Sequence, residues 1–101
     1  MKVLGIDQSY TSTGWVVKDC DSVEHVGILR SDATQTIYER CSFLANEIVS
    51  LIEQHCVDCV AIEGLAFGKF GNATRDLAGL QFVMIVKIIE KLNKPVNLSI
   101  S

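Results

Sequence analysis

The stretch VLGIDQSYTSTGWVV, residues 3 to 17, decides how this chain folds. A short apolar run ends on one carboxylate, Asp7, and a loop rich in serine and threonine leads into a second apolar run. Apolar runs of this length between turn-forming residues are typical of buried β-strands. The stretch therefore predicts two neighbouring strands, with a single acidic side chain at the end of the first.

Further along, strands and helices alternate. Together with the opening strands at residues 2–7 and 13–18, the predicted elements are a strand at 23–30, a helix at 37–55, a strand at 57–62, a helix at 72–93 and a strand at 96–100. Thr36 and Glu39 have the spacing of a capping box, and Pro95 ends the second helix. Tight connections indicate an antiparallel meander, whereas helical crossovers make the later strands parallel. We expect an α/β fold: a five-stranded mixed sheet, three strands antiparallel and two parallel, flanked by helices.

Length and composition limit the possible classes of protein. The 101 residues are enough for one domain, residues 1–101, and 49% of them are apolar, which is enough for a packed core. The net charge of −3 argues against a protein that coats nucleic acid through bulk positive charge. No run reaches the roughly 18 apolar residues of a membrane span, and the N-terminus lacks a signal-peptide pattern. We therefore expect a cytoplasmic protein that does not enter the membrane.

The cysteines agree with that expectation. Cys56 and Cys59 have the CxxC spacing of a zinc or redox motif. A zinc site needs a second pair, however, and Cys20 and Cys41 are too scattered to supply it. We interpret all four as small, reduced core residues.

A second acid matches Asp7. Glu63 also ends an apolar strand, so parallel neighbouring strands would bring both carboxylates to the same edge of the sheet, where open α/β sheets place their sites. We expect their carboxyl groups to lie within about 8 Å of each other, because such a pair repels unless a cation lies between them. An all-oxygen site suits Mg²⁺ or Mn²⁺, and the chemistry that such a site serves is phosphodiester hydrolysis.

Two segments, GIDQSYTSTGW at residues 5–15 and VAIEGLAFGKFGNATRDLAGLQ at residues 60–81, carry a family resemblance. The chain resembles the RuvC-type Holliday junction resolvases of the ribonuclease H-like superfamily, and among them the short, divergent phage members. The resemblance implies a ribonuclease H-like fold and a metal-dependent endodeoxyribonuclease that cuts four-way DNA junctions, in the host cytoplasm if a phage encodes it. It implies that Asp7 and Glu63 are catalytic acids that bind Mg²⁺ or Mn²⁺.

The resemblance also implies a DNA-binding loop. Phe67, or alternatively Phe70, corresponds to an aromatic side chain that enters the junction centre, and Lys69 and Arg75 correspond to contacts with DNA phosphates. The residues themselves support this interpretation, because a glycine-rich loop that combines rings with cations suits stacked bases and a charged backbone.

One departure from the family pattern keeps alternatives open. Family members carry further acids on a C-terminal helix, whereas this sequence ends at Ser101. We therefore expect a catalytic domain that is incomplete at the C-terminus and, by itself, inactive or nearly so. The alternative is a non-catalytic ribonuclease H-like module that binds branched DNA or a protein partner. Gene sequence downstream would discriminate: an acid pair in a terminal helix favours the nuclease, and a stop codon favours the binding module.

A kinase-like or actin-like domain, which can open with the same Gly-Ile-Asp pattern, is less well supported. Its phosphate-binding loop usually has another glycine soon after the acid, and Gln8 to Tyr10 lack it. Such proteins also need a second domain, which 101 residues cannot hold.

The predicted second helix, residues 72–92, is apolar at nearly every position from Leu77 to Ile89. A helix that packs on one sheet needs a single apolar stripe, so its other face must be covered. We expect a homodimer through this helix, as the family resemblance also implies; a C-terminal helix that covers the face is the competing explanation. His25 and His55 are isolated, and we assign neither a role.

Overall fold

The computed structural model describes residues 1–62, 72–91 and 97–100, and the side chains of 1–62 and 75–91. In chain order the elements are β1 (Lys2–Asp7), β2 (Ser12–Asp19), β3 (Ser22–Arg30), α1 (Ile37–Gln54), β4 (Cys59–Ile62), α2 (Asn72–Lys91) and β5 (Asn97–Ile100). In these ranges no helix is long and apolar enough to cross a bilayer.

The strands form one mixed sheet in the order β3-β2-β1-β4-β5. The first three strands pair antiparallel as a meander, and β4 pairs parallel to β1 and to β5. The predicted α/β architecture, a mixed sheet with helices packed on it, is confirmed. The parallel pairing aligns Ile6 with Ile62, so β1 and β4 have their carboxyl ends at the same edge.

Alternation along the strands builds the core on one face of the sheet. Leu4 of β1 pairs with Val17 of β2 and with Val60 of β4, and all three side chains are fully buried. The two helices complete this core with side chains one turn apart, which is the pattern of a helix packing through one stripe. The helical members are Cys41, Leu44, Ala45, Ile48, Val49, Leu51 and Ile52 of α1, and Leu80, Met84 and Ile88 of α2.

The predicted start of α1 is confirmed in detail. The Thr36 hydroxyl accepts a hydrogen bond from the Glu39 amide at 3.1 Å, and the Glu39 carboxylate accepts one from the Thr36 amide at 3.3 Å. This reciprocal capping box satisfies two backbone donors that a helix leaves unpaired. The helix ends at Gln54, with His55 as its C-terminal cap.

Two predictions about the cysteine region were wrong. Strand β4 begins at Cys59 rather than residue 57, because Cys56 has a left-handed backbone (φ 53°) and the Val57 amide bonds back to the carbonyl of Ile52. Cys20 and Cys56 are exposed residues of tight turns, Cys20 also at a positive φ of 54°. Of the four cysteines only Cys41 is buried, and Cys59 is half-buried.

Candidate functional site

Asp7 is the last residue of β1, and its side chain reaches solvent. It alternates with Leu4 and Ile6, which point into the core, so it belongs to the face of the sheet opposite the helices. Its partner across the antiparallel pair is Gly14, which has no side chain, and the two line a shallow groove with Gly5 and Val16. The local sequence thus leaves the carboxylate accessible at the sheet edge, on the face opposite the helices.

The predicted partner of Asp7 cannot be compared with it. Glu63 follows Ile62 directly in the sequence but lies outside the described residues, so the expected approach of the two carboxylates stays a prediction. Phe67, Lys69 and Phe70 lie outside them as well. Among the ranges 1–62, 72–91 and 97–100 no three potential metal-ligating side chains form a cluster.

The surroundings of Asp7 nevertheless fit a hard cation. Within the described part of the chain, no hydrogen bond or ion pair reaches its carboxylate, which therefore keeps its oxygen atoms for another ligand. Carboxylate oxygens are preferred ligands of Mg²⁺ and Mn²⁺. Asp7 is thus the described residue that would hold such an ion, with Glu63 as the predicted second ligand.

The loop after Asp7 is fixed by hydrogen bonds that the sequence did not reveal. The Thr13 hydroxyl donates to the carbonyl of Ser9 at 2.6 Å, and the Ser9 amide donates back to that hydroxyl at 3.2 Å. Arg40 of α1 donates through Nη2 to the carbonyl of Tyr10 at 3.2 Å. Its Nε donates to Ser31 at 2.7 Å, and the Ser31 hydroxyl also donates to the Tyr10 carbonyl. The loop that follows the candidate acid is thereby attached to the first helix.

Tyr10 also contributes its ring to the helix side of this edge. The half-buried ring packs against the core, and Tyr10 lines a cavity together with Cys41. Burial, followed by the influence of Cys41, raises the pKa of Tyr10 from 10.0 to about 12. Burial likewise raises the pKa of the Cys41 thiol, although the influence of the Tyr10 side chain opposes that shift.

Arg75, predicted to contact DNA phosphate, is exposed in the first turn of α2. Its Nε lies 3.6 Å from Oδ1 of Asp76, and both residues line a cavity with Tyr10. The described structure therefore brings Arg75 to the end of the molecule that holds the loop after Asp7. The Arg75 side chain is 73% exposed and that of Asp76 only 24%, so the guanidinium faces solvent while it pairs with the carboxylate.

The burial of Gln8, the residue after the candidate acid, was not predicted from the sequence. The residue is only 8% exposed, and neither atom of its side-chain amide has a hydrogen-bond partner in the described structure. The signal was present, because Leu4, Ile6 and Gln8 alternate and so face the helices together. A buried, unpaired amide next to the candidate acid is unfavourable for folding.

The two histidines, predicted to be isolated, lie together. Their ring centroids are 4.5 Å apart, and the ring of His55 lies 5.9 Å from that of Trp15. The indole in turn covers Gly27 of the neighbouring strand. This aromatic group lies at the C-terminal end of α1, whereas the loop after Asp7 is attached near its beginning, and we assign it to packing.

Comparison with known proteins agrees with this geometry. The family model of the crossover junction endodeoxyribonuclease RuvC matches residues 3–98. This chain belongs to the RuvC family. The RuvC of Thermosipho melanesiensis is 32% identical to it over an alignment of 73 residues that covers 68% of this chain and 46% of that protein.

Solved structures show the fold of this RuvC-family chain. Thermus thermophilus RuvC in complex with a Holliday junction substrate superposes with a TM-score of 0.81 at 18% identity, over 99% of this chain and 64% of that one. The Fowlpox virus resolvase, in complex with Holliday junction DNA, gives a TM-score of 0.54 at 13% identity, over 100% of this chain and 60% of that one. The predicted ribonuclease H-like fold is thus supported. The chain spans about half the length of its curated relative and under two thirds of these structures.

Proposed function

We propose that this RuvC-family chain is the sheet-and-helix part of a metal-dependent endodeoxyribonuclease that cuts phosphodiesters at four-way DNA junctions. The observation that carries the proposal is Asp7: an exposed carboxylate at the carboxyl edge shared by two parallel strands, within the segment that matches the RuvC family model. Edges of this kind are where open α/β sheets bind their ligands.

A divalent cation is part of the proposal. Asp7 and Glu63 are the ligands that the chain would offer, and Mg²⁺ and Mn²⁺ are the ions that such oxygen ligands suit. When bound, a divalent ion activates water and stabilises the leaving oxygen. The contribution of Asp7 itself is to present, at an edge that Gly14 leaves open, a carboxylate that no other described residue pairs with.

Branched DNA is the proposed ligand of the same edge. Arg75 is exposed in the first turn of α2, beside Asp76, and offers a guanidinium that could contact a DNA phosphate. Phe67, Lys69 and Phe70 remain the proposed remainder of the DNA-binding loop. A few well-placed cations and rings, rather than bulk charge, would then position the DNA backbone.

A homodimer through α2 is the third part of the proposal. The helix buries Leu80, Met84 and Ile88 against the core, and it leaves Phe82 and Ile89 largely exposed. A helix with apolar side chains on both sides has more apolar surface than one sheet can cover. A second copy with its own edge would supply two cutting sites related by a two-fold axis.

The test is incubation of a synthetic four-way junction with protein expressed from the complete gene, and with the 101-residue chain in parallel, in Mg²⁺ and in Mn²⁺. A linear duplex of the same sequence is the control substrate. We expect the protein from the complete gene to nick the junction and not the duplex, and the 101-residue chain to nick neither or hardly at all. Because Asp7→Asn removes a charged ligand and keeps the side chain's size, we expect it to abolish nicking, whereas Asp21→Asn, in an exposed turn, should have no effect.

Two other outcomes have defined meanings. Junction binding without nicking by any form of the protein would favour the non-catalytic module that binds branched DNA. Equal affinity for junction and duplex would contradict both functions.

A further inference from the structure

A cavity of about 500 Å³ opens between the loop after β1 and the first turns of the two helices. No part of the proposed cutting chemistry uses it. Its aromatic and polar lining consists of Tyr10, Tyr38, Cys41, Arg75 and Asp76, and Gly79 leaves one wall without a side chain. The volume is that of a small-molecule site.

The two tyrosines have different roles in this lining. Tyr10 is held in place because its carbonyl accepts a hydrogen bond from Arg40 and its ring packs against the core, so its ring is a fixed wall. Tyr38 is 84% exposed, and its ring can turn to lie against a guest. Ile37 supplies apolar contact between them. A wall of this composition favours a flat aromatic ring.

The polar groups of the lining limit further which class of ligand can bind. Arg75 and Asp76 place a hydrogen-bond donor and a hydrogen-bond acceptor side by side at the cavity. Guanidinium groups bind the ring nitrogen and carbonyl oxygen of bases, and carboxylates accept from their exocyclic amino groups. A planar heteroaromatic ring with both donors and acceptors is therefore the complementary ligand, and nucleobases have that chemistry.

The position of the cavity indicates which molecule would supply that base. Tyr10 stands three residues after Asp7, and Arg75 is predicted to contact DNA, so the cavity lies on the helix side of the edge whose other side presents Asp7. We infer that it takes one unpaired nucleobase of the DNA strand bound at the Asp7 edge, between the tyrosine rings. This inference rests on the proposed function and adds a base-binding subsite to it.

The competing guest is a side chain of a second copy of this chain. Gly79 and Val83 line the cavity and lie on the same helix as the proposed dimer surface. A base is favoured because an apolar side chain would take the Arg75–Asp76 ion pair out of water and replace none of its hydrogen bonds to solvent, which is costly.

Gly79 offers a variant that fills the cavity without disturbing the fold. A Cβ atom built there has no atom within 4 Å, so Gly79→Leu can extend into the open space and also suits a helix better than glycine. Gly79→Ala is the matched control, since it adds the same helical preference and almost no bulk. Tyr38→Ala removes a stacking ring from the other side.

The experiment measures binding of fluorescent four-way junctions to the 101-residue chain, with Ca²⁺ in place of Mg²⁺ so that the DNA stays intact. The junctions carry single abasic sites, moved one nucleotide at a time through the crossover. For the unchanged chain we expect one abasic position to weaken binding at least about fivefold, the loss of one stacked base. Gly79→Leu should weaken binding of the intact junction by the same factor and make the chain insensitive to that abasic site, while Gly79→Ala should behave like the unchanged chain.

The outcomes separate the subsite from the proposed function. A chain that does not prefer junction to duplex overturns the proposed function and this inference with it. If the unchanged chain prefers junctions, and if the abasic site weakens binding equally in the unchanged chain and in Gly79→Leu, the subsite alone is overturned. Sedimentation of Gly79→Leu as a monomer where the unchanged chain is a dimer would assign the cavity to the second copy.

Discussion

Asp7 and Gln8 show how the end of one strand produces both an exposed acid and a buried polar neighbour. Side chains alternate across a strand, so an acid that reaches solvent places the next side chain toward the helices. The amide of Gln8 is therefore buried, and it finds no partner among the described residues. Unpaired buried polar groups typically cost about 1–3 kcal/mol.

Replacing this amide should stabilise the protein. Gln8→Met keeps the length of the side chain and removes the unpaired atoms, so we expect the free energy of unfolding in urea to rise by about 1 kcal/mol. Gln81 is the control because it is equally buried and does engage in an interaction. Gln81→Met should therefore lower the stability. A loss of stability in Gln8→Met would mean that the amide is satisfied in solution.

Tyr10 should make the protein sensitive to alkaline pH. Its pKa is raised to about 12, so the folded protein holds the phenol proton more tightly than the unfolded chain does. Its stabilising contribution is complete below about pH 10 and is lost as the pH rises through about 12. Unfolding in urea at about pH 9 and about pH 11 should show a smaller loss of stability in Tyr10→Phe than in the unchanged protein. Tyr38→Phe, at an exposed position, should lose as much stability as the unchanged protein; equal losses in all three proteins would contradict the prediction.

At the scale of elements, the sequence predicted what depends on local chemistry. Residues 2 to 7 form β1 as expected, and α1 begins at the predicted capping box, because apolar spacing and backbone capping act within one element. The start of β4 was predicted wrongly because the chain turns at Cys56, which has a left-handed backbone. Glycine is the residue that usually marks such a turn in a sequence, and this turn has a cysteine instead.

What depends on pairing between elements could not be predicted. The contact of His25 with His55 requires the register of β3 on β2, which shifts at a bulge after Val17, as well as the end of α1. The contact between Tyr10 and Cys41 likewise joins a loop to a helix. In the candidate site, the exposure of Asp7 followed from alternation along its own strand, whereas the cavity required two helices and a loop to meet.

Two glycines make a matched prediction about these elements. A Cβ atom at Gly27 would lie 2.5 Å from the indole of Trp15, because the ring crosses over the neighbouring strand. Gly27→Ala should cost about 1–3 kcal/mol, the usual result of overpacking. Gly79→Ala, with open space around the new atom, should instead stabilise α2 by about 0.5–1 kcal/mol. Thermal unfolding of both variants tests the pair, and effects of the same sign would contradict it.

At the scale of the whole molecule, large apolar side chains are exposed at several of the described positions, and two of the surfaces they form concern assembly. One is the outer side of α2, which carries Phe82, Val86 and Ile89, and the other is the face of the sheet opposite the helices, which carries Val26 and Ile28. Contiguous exposed apolar surface marks an interaction site. The two surfaces lie on different sides of the fold, so they can be tested separately.

The dimer prediction concerns the surface on α2. A glutamate introduced on that surface, and another on the sheet surface, show which of the two forms the dimer interface. Phe82 is 67% exposed and Val26 is 69% exposed, so a charge at either position can stay in solvent and leave the core intact. Met84 is unsuitable because it is fully buried against the core. At micromolar concentration we expect the unchanged chain to sediment as a dimer and Phe82→Glu as a monomer, because a buried carboxylate without a partner strongly opposes association. Val26→Glu should remain a dimer. If the unchanged chain is a monomer, or if Val26→Glu dissociates it and Phe82→Glu does not, α2 is not the dimer interface.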